Sequence, residues 1–139
     1  MKYLGEFMYT DTKPDIMSEM VSPTQFKQIE RFADNLFKHL GIDVRFTKHF
    51  KDRTNDRRNQ PDITGQELID FFKAAFIKQG KHIASLGDGL QGILNDVHGN
   101  LNLPFVLQWD DRNQELDLVA KTIMRNKNFL SHGQKIMRF

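Results

Sequence analysis

The chain has 139 residues, of which 39% are hydrophobic and 27% are charged. This length and composition are typical of one globular domain with a real core, and they exclude a disordered tail or a chain built of membrane spans. The absence of cysteine excludes disulfides, thiolate catalysis and cysteine-type zinc sites. The first residues contain no apolar run of the signal-peptide type, so the sequence predicts a cytoplasmic protein.

The net charge of +2 is modest, but its distribution along the chain is uneven. Residues 45–58 contain six Lys and Arg against two Asp, and residues 121–139 contain five Lys and Arg and no acid. If these two basic segments fold together, they form a positive patch that would attract a phosphate backbone. The alternative is two solvated faces that lie far apart.

The first half of the chain is predicted to be mainly helical. Residues 1–21 show no clean periodicity and are expected to form a flexible N-terminal arm. Ser22 begins an S-x-x-Q capping box that precedes an apolar stripe, which predicts a helix from about 23 to 40. Gly41 is the residue expected to end it.

Three further elements follow before the strand-rich half. Residues 42–46 alternate between apolar and polar side chains, which predicts a short strand. A short helix is expected to begin near Thr47. A T-x-x-E motif at Thr64 predicts a third, longer helix that Gly80 ends.

The second half of the chain has the pattern of strands. Residues 103–109 and 115–124 are predicted to form a hairpin with its turn at 110–113. Pro104 has no N–H, so it is expected at the start of its strand or on a sheet edge. Helices followed by strands predict a single α+β domain over residues 22–139, with N-terminal helices packed on a small antiparallel β-sheet.

Patterns typical of cofactor and metal sites are weak in this sequence. The G-x-G-x-x-G at 87–92 would bind a dinucleotide only between a strand and a helix of a βαβ unit, and a flexible connection accounts for it better. The five histidines have no metal-ligand spacing with one another or with a carboxylate. The sequence therefore predicts no cofactor and no metal, and it leaves open only a metal assembled from distant positions.

The short second helix carries the densest set of functional groups. His49, Arg53 and Arg57 are four residues apart and would share one helix face. An imidazole clustered with cations is electrostatically unfavourable, and a bound phosphate would compensate for it. The alternative is local pairing, in which Asp52 and Asp56 neutralise neighbouring cations on a solvated face.

A second candidate lies at the end of the predicted 115–124 strand. Strand alternation would place Asp117, Lys121 and Arg125 on one face, with Thr122 and Met124 on the other. Lys121 and Arg125 could then supply two phosphate contacts. The alternative is an ordinary sheet face with its polar side in water.

The segments HFKDRTNDRRN at 49–59, LNLPFVL at 101–107 and LVAKTIMR at 118–125 resemble a family of short, largely uncharacterised tailed-phage proteins. This resemblance runs from about residue 42 to 130. More distantly, the layout resembles the barnase–EndoU–colicin E5/D–RelE class of small metal-independent RNases. That class also has helices before an antiparallel sheet, with a His and an Arg ahead of the sheet.

The resemblance implies a phage-encoded RNase-like protein that cleaves RNA without a metal in the cytoplasm of an infected bacterium. His49 would be the general acid or base, and Arg53 and Arg125 would hold the phosphate. Lys121 would stabilise the developing charge, and Thr122 would orient the phosphate. The remaining arginines of the basic segment, Arg57 and Arg58, would bind the substrate.

Two other functions stay open. One is a non-catalytic phage accessory protein that binds nucleic acid or a host enzyme, and the other is a virion or assembly component. An enzyme requires His49, Arg53, Lys121 and Arg125 to converge in a pocket, whereas a binding protein requires only a contiguous positive surface. An assembly protein would show a large exposed apolar patch. The expected partner is RNA or another nucleic acid, with a host protein as the alternative and no membrane.

Overall fold

The structure, a computed structural model, describes residues 20–139. Over this range the helices are α1 (Pro23–Phe37), α2 (Lys48–Thr54) and α3 (Gly65–Ser85), with a 3-10 turn at Lys38–Leu40 after α1. The strands are β1 (Ile42–Phe46), β2 (Gln91–Asp96), β3 (Leu101–Asp110), β4 (Glu115–Ala120), β5 (Met124–Arg125) and β6 (Lys135–Arg138). The predicted α+β class is confirmed, with the helices N-terminal to most of the strands.

The six strands form one mixed sheet rather than the predicted antiparallel one. The order is β1-β4-β3-β2-β6, with β5 beside β3. The β2–β3, β3–β4 and β3–β5 pairs are antiparallel, as the predicted hairpin pattern implies. In contrast, β1 runs parallel to β4, and β6 runs parallel to β2. These parallel partners are far apart in the sequence, so no turn signal marks them.

Helices α1 and α3 cover one face of the sheet, here called the helix face. Apolar side chains from both layers fill the space between them, and five phenylalanines are among the fully buried side chains: Phe37, Phe50, Phe71, Phe72 and Phe105. The opposite face is called the open face. The segment after β5 packs over part of it, where Phe129 and Ile93 line a cavity of about 220 Å³.

The predicted helix boundaries are confirmed at most positions. Ser22 and Gln25 form both bonds of the capping box, and Gly41 adopts the left-handed conformation with φ of 74°. Gly80, however, does not end α3, which continues to Ser85. A Cβ at Gly80 would lie 2.9 Å from the Leu40 side chain, so the glycine allows close packing inside the helix instead of ending it.

The free edge of β1 is covered by two carboxylates of α1. Asp34 accepts a hydrogen bond from the Val44 N–H at 2.9 Å, and Glu30 accepts one from the Phe46 N–H at 2.7 Å. These acids are one helical turn apart, which matches the two-residue repeat of N–H groups along a strand edge. This pairing satisfies donors that would otherwise invite another chain to the edge.

Pro104 lies inside the central strand β3, so the prediction that it starts a strand or lies on an edge is wrong. Phe105 is opposite Ala120 and Asn102 is opposite Met124, which leaves two residues of β3 facing three on the other side. This is a β-bulge. The Pro104 carbonyl accepts the first N–H after β4 at 2.9 Å, so the N–H that proline lacks would also point into the bulge. Proline is tolerated because the ladder is already interrupted there.

The extra residue in the bulge reverses the faces of the strand that follows it. Leu118 points to the helix face before the bulge, and Ile123 and Arg125 do so after it. The prediction that Arg125 shares a face with Asp117 is therefore wrong, as is the placement of Met124 on the core side. A one-residue shift is sufficient because strand side chains alternate with a period of two.

Packing of the domain includes the last residue of the predicted arm. Residues 1–19 of the 1–21 arm lie outside the described residues. Val21 is buried, its N–H donates to Asn55 Oδ1, and Asn55 Nδ2 donates back to the Val21 carbonyl. Within residues 20–139, no helix combines the length and apolarity needed to cross a lipid bilayer.

Candidate functional site

The start of α2 is attached to the end of β4. The Thr47 N–H donates to the Ala120 carbonyl at 3.2 Å, and Thr47 Oγ1 donates to the Lys121 carbonyl at 3.0 Å. The same hydroxyl caps α2 by accepting the Phe50 N–H. One threonine therefore both begins the helix and holds it against Lys121.

A buried asparagine attaches the other end of α2 to β5. Asn59 Nδ2 donates to the Arg53 carbonyl at 2.7 Å and to the Thr54 carbonyl at 3.3 Å, while Asn59 Oδ1 accepts the Arg125 N–H at 3.0 Å. Residues 121–125, the start of the second basic segment, therefore lie beside α2. The expectation that the two basic segments fold together is confirmed for this part only, because Lys135 and Arg138 lie in β6, at the opposite edge of the sheet from β1.

Arg125 occupies a polar socket on the helix face, with its side chain 9% exposed. Its Nη1 and Nη2 contact the two carboxylate oxygens of Glu67 at 2.9 and 2.5 Å. Its Nε donates to the Pro61 carbonyl, and the Gly99 and Asp62 carbonyls accept from Nη1 and Nη2. A guanidinium has five N–H donors, and these bonds use all of them. Arg125 is therefore a structural residue with no donor left for a phosphate, contrary to the predicted role.

Glu67 also departs from its predicted role. Thr64 Oγ1 accepts the Glu67 N–H at 3.1 Å, as the T-x-x-E motif predicts for the start of α3. The Glu67 side chain does not complete the capping box, because its carboxylate holds Arg125 in a bidentate pair. The motif therefore predicts the helix start correctly but not the use of its acid.

Several cations of the basic segment pair locally, as the alternative interpretation of that segment expected. Lys48 Nζ lies 2.9 Å from Asp52 Oδ2. Arg53 Nε lies 3.8 Å from Asp56 Oδ2, and Arg58 binds the same carboxylate with two bonds of 3.0 and 2.9 Å. The hydrogen bonds from Arg58 hold the pKa of Asp56 well below its usual range.

The remaining predicted site residues lie in different environments. His49 is exposed in the first turn of α2, and Lys121 is exposed just after β4. Arg57 is also exposed, but it lies beyond the end of α2, so it does not share a helix face with His49. Thr122 lies in the bulge, where its Oγ1 is buried without a hydrogen-bond partner.

We use the term basic surface for the cations of α2 and its following turn together with the neighbouring strand end. Its members are Lys48, His49, Lys51, Arg53, Arg57, Arg58 and Lys121. The bonds of Thr47 and Asn59 hold the two parts of this surface together. Arg125 contributes its backbone N–H to this junction, but its guanidinium is held by Glu67 and three carbonyls.

A second cluster lies on the open face, at the β1–β4 pair. Asp43 is directly opposite Asp117 in the parallel register, and Glu115 lies two residues before Asp117 on the same side of β4. One carboxylate oxygen from each of these acids lies within 4.8 Å of the others. Among residues 20–139, these three carboxylates are close enough together to hold one metal ion.

Burial and mutual repulsion alter the acids of this cluster. Burial raises the pKa of Asp43 to about 7, together with a hydrogen bond to the Asp34 carboxyl and the charges of Glu115 and Asp117. Burial also raises the pKa of Asp117, and the charge of Arg45 opposes that change. Arg45 Nε lies 3.6 Å from Asp117 Oδ2, and the Arg45 side chain is 58% exposed.

The sequence analysis did not single out these acids. The signal that could have found them is an acid inside each strand, Asp43 in IDVRF and Asp117 in ELDLVA. Each alternates with core residues, so each lies on the opposite face of the sheet. Only the parallel pairing of β1 with β4 brings them together.

Comparisons with known proteins add no relationship: no family model, no curated protein and no solved structure matches this chain. The G-x-G-x-x-G motif begins after the end of α3, and its last two residues are the first two of β2, which pairs with an antiparallel neighbour and a parallel one. It therefore follows a helix and leads into a strand, the reverse of the dinucleotide-binding arrangement.

Proposed function

We propose that this protein binds the phosphate backbone of nucleic acid through the basic surface, without cleaving it. The observation that carries the proposal is the pair of Thr47 hydrogen bonds that fix α2 against Lys121. They join cations from two distant parts of the sequence into one surface. A contiguous positive surface is the feature that a binding protein requires and an enzyme site need not have.

Local ion pairs reduce the charge of this surface without cancelling it. It contains six Lys and Arg against two Asp. Asp52 pairs with one cation, whereas Asp56 is shared by Arg53 and Arg58. Arg57 and Lys121 are exposed and pair with no acid within residues 20–139. These two side chains are the best placed to meet a phosphate.

Metal-independent cleavage by the predicted residues has less support than binding. His49 is exposed and could exchange a proton, but Arg125, one of the two cations expected with Arg53 to hold the phosphate, is used by Glu67 and three carbonyls. A site for RNA cleavage requires acid–base and electrostatic groups around one phosphate. With Arg125 engaged, the predicted group of catalytic side chains lacks one of its two phosphate clamps.

The test uses fluorescein-labelled single strands of RNA and DNA, each 20 nucleotides long, and measures fluorescence anisotropy as the salt concentration is raised. We expect affinity to fall steeply with salt, by a slope of about 0.7 for each phosphate contact with a single strand. The Arg57→Ala/Lys121→Ala double variant should bind more weakly and flatten the salt dependence by about 0.7 per lost contact.

The matched control removes two exposed lysines from α3, Lys78→Ala/Lys81→Ala, and should leave binding unchanged. An affinity that does not depend on salt, or an equal loss in both double variants, would overturn the proposal. The same RNA incubated in EDTA should stay intact. Cleavage that His49→Ala abolishes would establish the RNase function instead.

The biological setting follows only from the resemblance to tailed-phage proteins. That resemblance implies a protein of the infected bacterial cytoplasm, where RNA and DNA are both accessible. A host protein with an acidic surface is the alternative partner. Binding that falls with salt and differs little between RNA and DNA would favour nucleic acid, because both have the same phosphate groups.

A further inference from the structure

The acids on the open face are placed together by the strand register itself. Asp43 and Asp117 are direct neighbours across β1 and β4, and Glu115 is on the same face of β4. Like charges directly opposite each other destabilise a sheet pair. Their arrangement therefore has an energetic cost that the surrounding protein does not remove.

Asp117 is the acid of this cluster that has an oxygen without a hydrogen-bond partner. Its side chain is 7% exposed, and its Oδ1 is buried without any hydrogen-bond partner. The other oxygen has only a 3.6 Å contact with Arg45. A buried carboxylate oxygen normally has a partner, because an unpaired one is costly. One oxygen of the Asp117 carboxylate lies within 4.8 Å of an oxygen of Asp43 and of Glu115.

The nearby cations compensate for this negative charge only in part. Asp34 adds a fourth carboxyl, although it also accepts the Val44 N–H at the edge of β1. The groove that runs from these acids along α1 is lined by Lys27 and Arg31, which are exposed. Arg45 is therefore the cation in contact with the cluster among the described residues.

We propose that Asp43, Glu115 and Asp117 bind one hard divalent cation, of the class of Mg²⁺, Mn²⁺ and Ca²⁺. Carboxylate oxygens are the ligands that these ions prefer, and they use three or more of them together with water. A dication at the centre of the cluster would give Asp117 Oδ1 its missing partner. It would also offset the mutual repulsion of the three carboxylates.

This proposal is independent of nucleic-acid binding. The basic surface depends on α2 and Lys121, whereas the cation site depends on β1 and β4 and lies on the open face. Loss of either function would leave the other testable in the same variant set.

The experiment titrates the full chain with MnCl₂ and follows free Mn²⁺ by electron paramagnetic resonance. We expect one Mn²⁺ per chain, displaced by MgCl₂ or CaCl₂. Asp117→Asn should weaken binding by about tenfold or more, because affinity at such sites follows the number of charged ligands. Asp70→Asn is the matched control. It removes the charge of an exposed acid of α3, and the oxygen of the new side-chain amide can still accept the hydrogen bond from Gln66.

A second variant keeps the test decisive if Asp117→Asn folds poorly. Asp43→Asn should raise the melting temperature in EDTA, because it removes one repelling charge, and should abolish the increase that MnCl₂ gives to the wild type. A wild-type chain that binds no Mn²⁺ would overturn the proposal. A folded Asp43→Asn chain that still gains stability from MnCl₂ as the wild type does would overturn it as well.

Discussion

Arg125 and Asp117 are both buried charges on neighbouring parts of one sheet, with side chains 9% and 7% exposed. Arg125 lies on the helix face, where Glu67 and three carbonyls satisfy every donor. Asp117 lies on the open face, where one oxygen has no partner. The same degree of burial thus accompanies opposite degrees of hydrogen bonding.

The difference separates a structural charge from a candidate binding group. A buried charge with all its bonds made holds elements together, and its removal leaves other groups unpaired. A buried charge with an unmade bond has a cost in the free protein that a ligand can remove. From the sequence, Arg125 was a better functional candidate than Asp117. The hydrogen bonds of the structure make Asp117 the better candidate.

The largest expected effect comes from emptying the Arg125 socket. Arg125→Ala should lower the free energy of unfolding by about 3 kcal/mol, because it leaves the Glu67 carboxylate without its partner. Urea denaturation would measure this change. Lys127→Ala, an exposed cation two residues further on, should change it by less than about 0.5 kcal/mol. Equal effects in the two variants would show that the socket contributes little.

Breaking the attachment between α2 and β5 should have the next largest effect. Asn59→Ala removes the donor to the Arg53 and Thr54 carbonyls and the acceptor for the Arg125 N–H. We expect a loss of about 2 kcal/mol, since these groups are partly or fully buried. Gln60→Ala, which changes an exposed neighbour, is the control for denaturation. A neutral Asn59→Ala variant would mean that water replaces these bonds.

A substitution in the acidic cluster should raise the free energy of unfolding instead of lowering it, and the size of this gain should depend on pH. Burial raises the pKa of Asp43 from 3.8 to about 7. The folded chain therefore keeps a proton that the unfolded chain loses, and stability falls as pH rises from about 4 to 7. In EDTA at pH 8, Asp43→Asn should be more stable than the wild type by about 1–2 kcal/mol after allowance for partial exposure.

Below pH 4 the two chains should have equal stability, because Asp43 then carries a proton in both the folded and the unfolded wild type. Thermal unfolding at several pH values would measure the difference. A constant gap between the two chains across this range would contradict the assigned cause, since it would not follow the titration of Asp43.

The smallest expected effect is that of His49→Ala on stability. His49 is exposed in the first turn of α2, and the buried anchor of that helix is the next residue, Phe50. We expect a change within about 0.5 kcal/mol, measured by thermal unfolding. A sharp fall in melting temperature would identify His49 as a structural residue. It would also remove the best acid–base candidate for RNA cleavage.

Local sequence signals predicted the helices well because their causes are local. The capping box of α1, the Thr64 cap of α3 and the apolar stripes set where these two helices begin, and Thr47 sets the start of α2. Each signal involves residues three or four positions apart, which contact one another in any helix. The end of α3 escaped prediction because the role of Gly80 depends on Leu40, a residue of another element.

The candidate sites depended on contacts that no local signal contains. The sequence determined which charges exist, that residues 45–58 and 121–139 are basic, and that acids alternate with core residues in β1 and β4. The tertiary structure decided which face each charge takes. One extra residue at the bulge moved Arg125 to the helix face, and a parallel pairing placed Asp43 beside Asp117. Strand register is set between distant segments, and a shift of one residue exchanges the two faces.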